Sequence, residues 1–478
     1  MSELKSKVLH SLKWVAITKL IIQMFRWLST FWVIRLLTPD DYAVVAISDM
    51  VAGYLVAFST LGLGSLLVTK KSVNERFQRE MLFLAYSVNA VLFVIQFWAA
   101  GYLADVYQNE AIEMVLKAGA FCYLFANLTL IPSSMMSRNM QHKEISLIEM
   151  YAGILSTITI ISLAYMDYGY WALVLGFLTN ELLKTVMFIR AYKAPMLPMI
   201  PRRRSLKLMK YCLSVSLSEV IFHSRDSIDI VLGGLFLSKK QLGIYSVGLQ
   251  VSSMPLRKIA PPIRKVAFPA LASIRNDSKR LFGYLTKIQR ISFFITIPIF
   301  WGLSSTVDLI LPDLLGEKWG DASMIIAIIC LVMPFRFAEE MLHPILKGMQ
   351  KGSEMMICNL SGLIIFGGCV FAGLQWGLSG LAVAWVVSAP AVYFFSSYIV
   401  SRLMKEKMSS FSNQWFFPVL AGATMLAVVD IIKQVMTPYD LPLVTFGICG
   451  VLGAGTYLIV IYLLQRSLLH ELLAVRKA

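Results

Sequence analysis

The sequence predicts an all-α protein that crosses a membrane about fourteen times, and two observations carry this prediction. Of the 478 residues, 57% are hydrophobic and only 15% are charged, whereas about a quarter of the residues of a soluble domain are charged. Apolar windows of the length that a bilayer requires, about 20 residues, recur along the whole chain. This composition excludes a soluble enzyme, a disordered chain and a secreted disulfide scaffold.

Fourteen apolar windows are long enough to form transmembrane helices. The eighth is the least regular, because Pro255, Arg257, Lys258, Pro261 and Pro262 interrupt it. In chain order the windows are 14–34, 43–67, 81–103, 112–133, 147–166, 170–189, 211–236, 242–263, 288–311, 322–343, 355–375, 378–400, 414–432 and 442–464.

The distribution of Lys and Arg predicts how the helices are oriented. Of 44 such residues, 33 fall in one set of alternating loops and 5 in the opposite set. Because cytoplasmic loops carry the excess of Lys and Arg, both termini are predicted to be cytoplasmic. Spread over many loops, these charges argue against nucleic acid as a partner. The runs Arg202–Arg204 and 257–290 are suited to the anionic headgroups of membrane lipids.

Two pairs of similar segments indicate a parallel internal repeat. Leu37–Ala43 follows the first window and matches Leu237–Gly243, which follows the seventh. Gly169–Gly176 and Gly377–Ala384 open the sixth and twelfth windows. In each pair six windows separate the two copies, so the repeats have the same orientation. Parallel repeats are typical of transporters whose binding site lies between the halves.

The repeat predicts the domain organisation. We expect an N-terminal six-helix lobe at 1–205 and a C-terminal six-helix lobe at 206–405 around a central cavity. Residues 406–478 then form two further transmembrane helices and a tail.

Charged side chains inside the windows need a physical reason, because a charge near the bilayer centre costs at least about 2.5–3.5 kcal/mol. Some are spaced to neutralise one another along one helix. Glu181 and Lys184 form one such pair, and Arg336 with Glu339 or Glu340 forms another.

The seventh window carries more charge than local pairing explains. Glu219, His223, Arg225, Asp226 and Asp229 are five titratable residues within eleven positions. Arg225 and Asp229 have the spacing of an i,i+4 pair. Because lipid contact cannot accommodate so many titratable groups, this helix is expected to line water or to face a partner helix.

A hydrated cavity between the lobes is the functional interpretation of these charges. Guanidinium groups bind phosphate oxygens in a bidentate manner and stay charged when partly dehydrated, so deep basic residues predict an anionic headgroup. The carboxylates of the seventh window are predicted to carry a coupling H+ or Na+. The predicted headgroup residues are Lys19, Arg26, Arg225 and Arg336, and the predicted coupling residues are Glu219, Asp226 and Asp229.

No enzyme, cofactor or metal site is expected. The cysteines and histidines are dispersed without metal-type spacing. The loops opposite the basic ones are short, about 4 to 11 residues, which leaves no room for an external catalytic domain. A membrane-bound glycan polymerase or acyltransferase would need such a loop or a clustered His and acid site.

Five segments of the chain carry recognisable motifs. They are Arg35–Ala43 after the first span, Gly62–Ser65 at the end of the second, the turn Tyr168–Val174, Asp229–Gly233 in the seventh and Gly348–Lys351 after the tenth. Together they resemble motifs of the Wzx-type polysaccharide flippases. The chain departs from that family at Ala43, where a glycine is usual, and at Gly234, where an arginine is common.

This resemblance implies a member of the multidrug/oligosaccharidyl-lipid/polysaccharide exporters, with two six-helix lobes and an alternating-access cycle. The implied substrate is an undecaprenyl-diphosphate-linked oligosaccharide, moved from the inner to the outer leaflet of the bacterial inner membrane. The sequence leaves open whether the protein acts alone or beside a polysaccharide polymerase in a complex. A lipid II flippase and a cation-coupled multidrug exporter of the same fold remain as alternatives.

Overall fold

The computed structural model of the protein describes residues 27–59, 63–70, 72–195, 197–273, 278–349, 351–409 and 413–465. In these residues the chain is helical and contains no strand. The helices are α1 (27–36), α2 (Pro39–Ser59), α3 (Leu63–Thr69), α4 (Glu75–Val106), α5 (Glu110–Ala120), α6 (Cys122–Arg138), α7 (His142–Tyr165), α8 (Tyr170–Ala191), α9 (Arg203–Phe236), α10 (Lys239–Ser273), α11 (Ser278–Leu315), α12 (Gly320–Glu340), α13 (His343–Gly348), α14 (Gly352–Gly373), α15 (Gly377–Met404), α16 (Phe416–Met436) and α17 (Pro442–Leu464).

The predicted fold class is confirmed. Each of the fourteen windows overlaps a described helix, and the second, fourth and tenth each overlap two consecutive helices: α2 and α3, α5 and α6, α12 and the start of α13. Within the described residues, nine helical stretches are long and apolar enough to cross a membrane, and one of them, Gly352–Met404, contains both α14 and α15. The chain is therefore a multi-pass membrane protein.

Helices α9 and α10 are not among these nine stretches. The charged side chains of α9 and the Pro255–Lys258 interruption of α10 make both helices too polar. Both pack against α2, and α10 also packs against α12. Along much of their length these two helices therefore contact other helices instead of lipid.

The connections between helices are short at one end of the bundle. We call this the opposite end, and the end that carries most of the Lys and Arg residues the basic end. The connections at the opposite end include Leu37–Thr38, Tyr107–Asn109, Met166–Gly169, Leu237–Ser238, Leu374–Trp376 and Thr437–Leu441.

The first pair of repeated segments folds into the same helix start. Before α2, the Thr38 N–H donates to Asp41 Oδ2 at 2.9 Å and the Asp41 N–H donates to Thr38 Oγ1 at 3.3 Å. Before α10, Ser238 and Gln241 make the same reciprocal pair of bonds at 3.1 and 3.3 Å. Each is a capping box, which satisfies backbone N–H groups that a helix start leaves unpaired.

The second repeated pair also has a common backbone conformation. Gly169 has φ +53° and ψ −134°, and Gly377 has φ +64° and ψ −142°. A side chain is strained at such a positive φ, which is why glycine occupies both turns. These matching turns agree with the repeat, while the lobe boundaries at 205 and 405 stay a prediction.

The last two helices pack on α11. Tyr457 on α17 donates a hydrogen bond to the carbonyl oxygen of Phe294 at 3.1 Å. Lys433 on α16 forms an ion pair with Asp308 at 2.7 Å. The α16–α17 pair therefore contacts the side of the bundle formed by α11.

Candidate transport site

A cavity of about 590 Å³ lies between helices of the N-terminal part of the chain and helices α9 and α10. Its wall includes residues of α1, α2 and α4 to α10. Nearly half of the lining residues have polar side chains, although apolar atoms form most of the lining surface. Its polar lining residues include Ser29, Thr30, Asp49, Gln96, His223, Asp226, Ser246, Gln250 and Arg257.

The charges of the cavity wall come from α2, α9 and α10. Asp49 and Arg257 are exposed, and Asp226 is about a quarter exposed (28% of its side chain). The described lining contains one arginine, Arg257, and two carboxylates, those of Asp49 and Asp226. A guanidinium group in this position can bind an anionic headgroup.

Arg225 lies outside this cavity lining, in a buried ion pair. Its Nη1 and Nη2 donate to the two carboxylate oxygens of Glu339 at 2.9 and 2.6 Å, and both side chains are less than a tenth exposed. His343 Nε2 lies 3.1 Å from the same carboxylate. A β-carbon at Gly362 would crowd the Arg225 side chain, so this glycine lets the arginine cross α14. The group joins α9, α12, α13 and α14.

Arg336 belongs to a second network. It donates to Asp226 at 2.9 Å and stacks over the Trp385 ring at 4.9 Å from the centroid. The Trp385 indole donates to the Tyr245 hydroxyl at 2.8 Å, and this hydroxyl donates to the fully buried Asp229 at 2.5 Å. Asp226 is the member of this network that also reaches the cavity.

The structure places the other predicted residues as follows. Lys19 and Arg26 lie outside the described residues. Glu219 is an exposed residue of α9 and is not part of the described cavity lining. Glu181 and Lys184 form the local ion pair that their spacing predicts, at 2.5 Å.

The pairing expected along one helix is not the one found for Arg225, and Arg336 has a partner on a second helix. Arg225 bonds to Glu339 instead of Asp229, and Arg336 bonds to Asp226. Each of these bonds joins α9 to α12, so the partner carboxylate comes from the other helix. Asp229 has a hydroxyl donor in Tyr245 instead.

Sequence reasoning assigned Arg257 to a basic loop and so missed it as a cavity residue. The prolines 255, 261 and 262 suggested that the eighth window breaks near this position. In the structure α10 continues to Ser273. The helix therefore carries Arg257 beside the cavity. The sequence signal that could have indicated this position was the pair of basic residues directly after an apolar segment.

Side-chain contacts join helices at the opposite end of the bundle, next to the cavity. The buried Trp319 donates its indole N–H to the carbonyl oxygen of Ile34 at 2.9 Å and packs edge-on against Tyr42, which lines the cavity. Arg35 donates to the carbonyl oxygen of Asp313 at 2.6 Å. These contacts connect the end of α1 with the turn between α11 and α12.

We expect Trp319→Phe to lower the free energy of unfolding by about 1–3 kcal/mol, because the Ile34 carbonyl would stay buried without its donor. Thermal unfolding of the purified protein in detergent measures the change. Trp376→Phe is the matched control, since Trp376 lies at the same end and is 72% exposed. Equal melting temperatures for the two variants would contradict the role of the indole bond.

The fold is shared with a solved structure of a membrane flippase. The structure is similar to that of the lipid II flippase MurJ in an inward closed conformation, with a TM-score of 0.75, 15% sequence identity and coverage of 95% of this chain and 99% of that chain. At this identity the likeness concerns the fold.

The sequence comparisons define the family. The model of the family described as "Polysaccharide biosynthesis protein" matches residues 33–324, more than half of the chain. The chain therefore belongs to this family. It is 22% identical to the teichuronic acid biosynthesis protein TuaB of Bacillus subtilis (strain 168) over 89% of both chains. It is 21% identical to the lipopolysaccharide biosynthesis protein WzxC of Escherichia coli (strain K12) over 69% of this chain and 67% of that protein. The predicted resemblance to polysaccharide flippases is confirmed.

Proposed function

We propose that this protein is a flippase that translocates undecaprenyl-diphosphate-linked oligosaccharide units for surface polysaccharide biosynthesis. The observation that carries the proposal is a cavity with charged and polar side chains inside the helical bundle of a membrane protein, next to contacts that join the helices at one end. Sugar hydroxyls and a diphosphate cannot cross hydrocarbon without polar partners. The cavity supplies such partners, while the lipid tail of the substrate can remain in the bilayer.

The proposed headgroup site combines Arg257 with the residues predicted from charge and depth. Arg257 is the exposed guanidinium of the described cavity wall. Arg336 is available to a diphosphate only when its bond to Asp226 opens. Arg225 contributes through its ion pair with Glu339, and Lys19 and Arg26 complete the proposed cationic set.

Ion coupling is proposed from the same contacts. Asp226 both lines the cavity and pairs with Arg336. An ion bound at Asp226 in place of Arg336 would release this arginine for the substrate phosphates. Asp229 already accepts hydrogen bonds from Tyr245 and from a backbone N–H, and Glu219 is exposed. We therefore prefer Asp226 as the coupling residue, with H+ or Na+ as the ion.

The proposed location is the bacterial inner membrane. With the basic end and both termini in the cytoplasm, as the distribution of Lys and Arg favours, the opposite end faces outward. A unit would enter from the inner leaflet and leave after the halves, 1–205 and 206–405, rock against each other. A polysaccharide polymerase is the proposed partner on the outer side. No catalytic residue and no cofactor are needed.

Complementation tests the function. In cells that lack their own flippase for a defined glycan, the wild type is expected to restore surface glycan and to clear the lipid-linked intermediate from the inner leaflet. Arg257→Gln is expected to lower surface glycan several-fold, and Arg257→Lys is expected to restore part of it. Lys258→Gln is the control. Lys258 is the next residue in the chain, carries the same charge and lies outside the described cavity lining, so this variant is expected to behave as wild type. Equal glycan in both glutamine variants would remove Arg257 from the site, and failure of the wild type in several glycan backgrounds would refute the proposal.

The lipid II flippase is the second candidate, because the MurJ structure shares the fold. The family model and the relatives are named for polysaccharide biosynthesis instead. Rescue of cells depleted of their lipid II flippase, without restoration of any surface glycan, would favour this alternative.

A further inference from the structure

The core formed by α11, α12, α14 and α15 contains a polar layer between two apolar clusters. Phe293 and Ala338 belong to one cluster, and Leu285 and Leu342 belong to the other. The polar residues lie between these positions along their helices and are at most 4% exposed. They are Gln289, Glu339, Asn359, Tyr393, Ser396 and Ser397.

Most of this layer has unmet hydrogen-bonding capacity. The amide of Gln289 is fixed by its donation to the carbonyl oxygen of Ala338 at 2.8 Å, which leaves its oxygen as an acceptor. An unpaired buried polar group costs about 1–3 kcal/mol, and few native groups are left in that state. Five shielded atoms make no well-aligned hydrogen bond with a described residue: Gln289 Oε1, Asn359 Oδ1, Tyr393 OH, Ser396 Oγ and Ser397 Oγ.

Three of these atoms have polar neighbours. Ser397 neighbours the Tyr393 hydroxyl, and Ser396 neighbours the Cys358 thiol, which lies near the Arg225–Glu339 pair. Part of the layer is therefore close to the buried ion pair, and small polar ligands can satisfy the atoms that lack a well-aligned partner.

A small cavity on the same face of α15 provides a second observation. It has a volume of about 20 Å³ and is lined by Arg225, Arg336, Glu339 and Ser388, and the Ser388 hydroxyl also lacks a well-aligned partner among the described residues. One water molecule needs about 10–15 Å³ and two to four polar partners. Ser388 and Ser396 are eight residues apart, about 12 Å along the helix.

We propose that this part of the bundle binds a cluster of internal water molecules that solvates the Arg225–Glu339–His343 group. Water fits better than a metal cation, because the unpaired groups are neutral hydroxyl and amide groups and the carboxylate of Glu339 is already bound by Arg225. Hydroxyl and amide groups can both donate to water and accept from it. Such waters offer substitute partners when α9 moves relative to α12, so the ion pair can open without exposing a bare charge to the apolar core.

Hydroxyl-radical footprinting of the purified wild-type protein tests the proposal, because radicals formed from bound water oxidise side chains next to it. Tyr393 and Cys358 are expected to be oxidised several-fold faster than Tyr457 and Cys449. The comparison is matched, since all four side chains are at most 1% exposed and Tyr457 has a protein partner in Phe294. Equal oxidation rates would overturn the proposal.

A second measurement separates water from the alternatives. With water present, Ser397→Ala is expected to lower both the melting temperature and the oxidation of Tyr393. A dry layer would instead be stabilised by removal of an unpaired hydroxyl, and a rise in melting temperature would refute the site. Footprinting in sodium chloride and in choline chloride should give the same rates. Protection of Tyr393 by sodium alone would show that a metal cation occupies the layer, which would also overturn the proposal.

Discussion

Replacing Arg225 by methionine is expected to lower the free energy of unfolding by about 3–5 kcal/mol, because the variant leaves Glu339 as a buried charge without its partner. Glu339 is 1% exposed and accepts both guanidinium bonds. Chemical unfolding in detergent micelles measures the loss. Arg79→Met is the control, since Arg79 pairs with Glu75 at a largely exposed position, where an ion pair contributes about 0–1 kcal/mol.

A double-mutant cycle shows whether the loss comes from the pair. Arg225→Met combined with Glu339→Gln removes both charges and is expected to recover much of the stability that Arg225→Met loses, whereas Glu339→Gln alone leaves the arginine unpaired. Stability equal to that of the wild type in Arg225→Met, with loss of surface glycan, would contradict a structural role. Arg225 would then act directly on the headgroup, as its charge and depth in the seventh window predict.

The fold was predictable because lipid imposes a simple pattern on the sequence. A span needs about 20 apolar residues, and the windows follow this rule even where the structure divides one of them, as at α5 and α6. The repeat was also visible, because Thr38 and Ser238 begin helices with the same capping chemistry. Turn residues carry this information locally, so it can be read without tertiary contacts.

The site was less predictable because its charges interact across helices. Spacing along α12 allows Arg336 to reach Glu339 or Glu340, yet the structure also gives it a partner on α9, Asp226. Arg225 is buried with a carboxylate of α12, so a charge that suggested a ligand contact is matched within the protein. Arg257 was missed for the reverse reason, since the prolines around it obscured a helix that continues. Only the relative placement of helices decides which charges remain available.

Gly243→Val is expected to abolish most transport. The two repeated turns meet where α10 begins beside α2, and a β-carbon at 243 would overlap the carbonyl oxygen of Pro39. Because the obstacle is backbone, no side-chain rotation relieves it. Overpacking of this kind costs about 1–3 kcal/mol, and each 1.4 kcal/mol against one conformation lowers its population about tenfold. The conformation closed at the opposite end should therefore become rare, and surface glycan should fall in proportion.

Cys122 provides a direct measurement of that closure, since it lines the cavity. In right-side-out vesicles with Cys122 as the sole cysteine, a membrane-impermeant maleimide should label wild type slowly and Gly243→Val faster. Gly302→Ala is the control, because a β-carbon there meets nothing within 4 Å, and it should match wild type in labelling and in glycan. A Gly243→Val protein that melts as wild type but labels no faster would show that the contact of α2 with α10 does not hold the opposite end closed. If transport were also retained, the alternation of access would have to depend on other contacts, with the Trp319–Ile34 bond as the next to test.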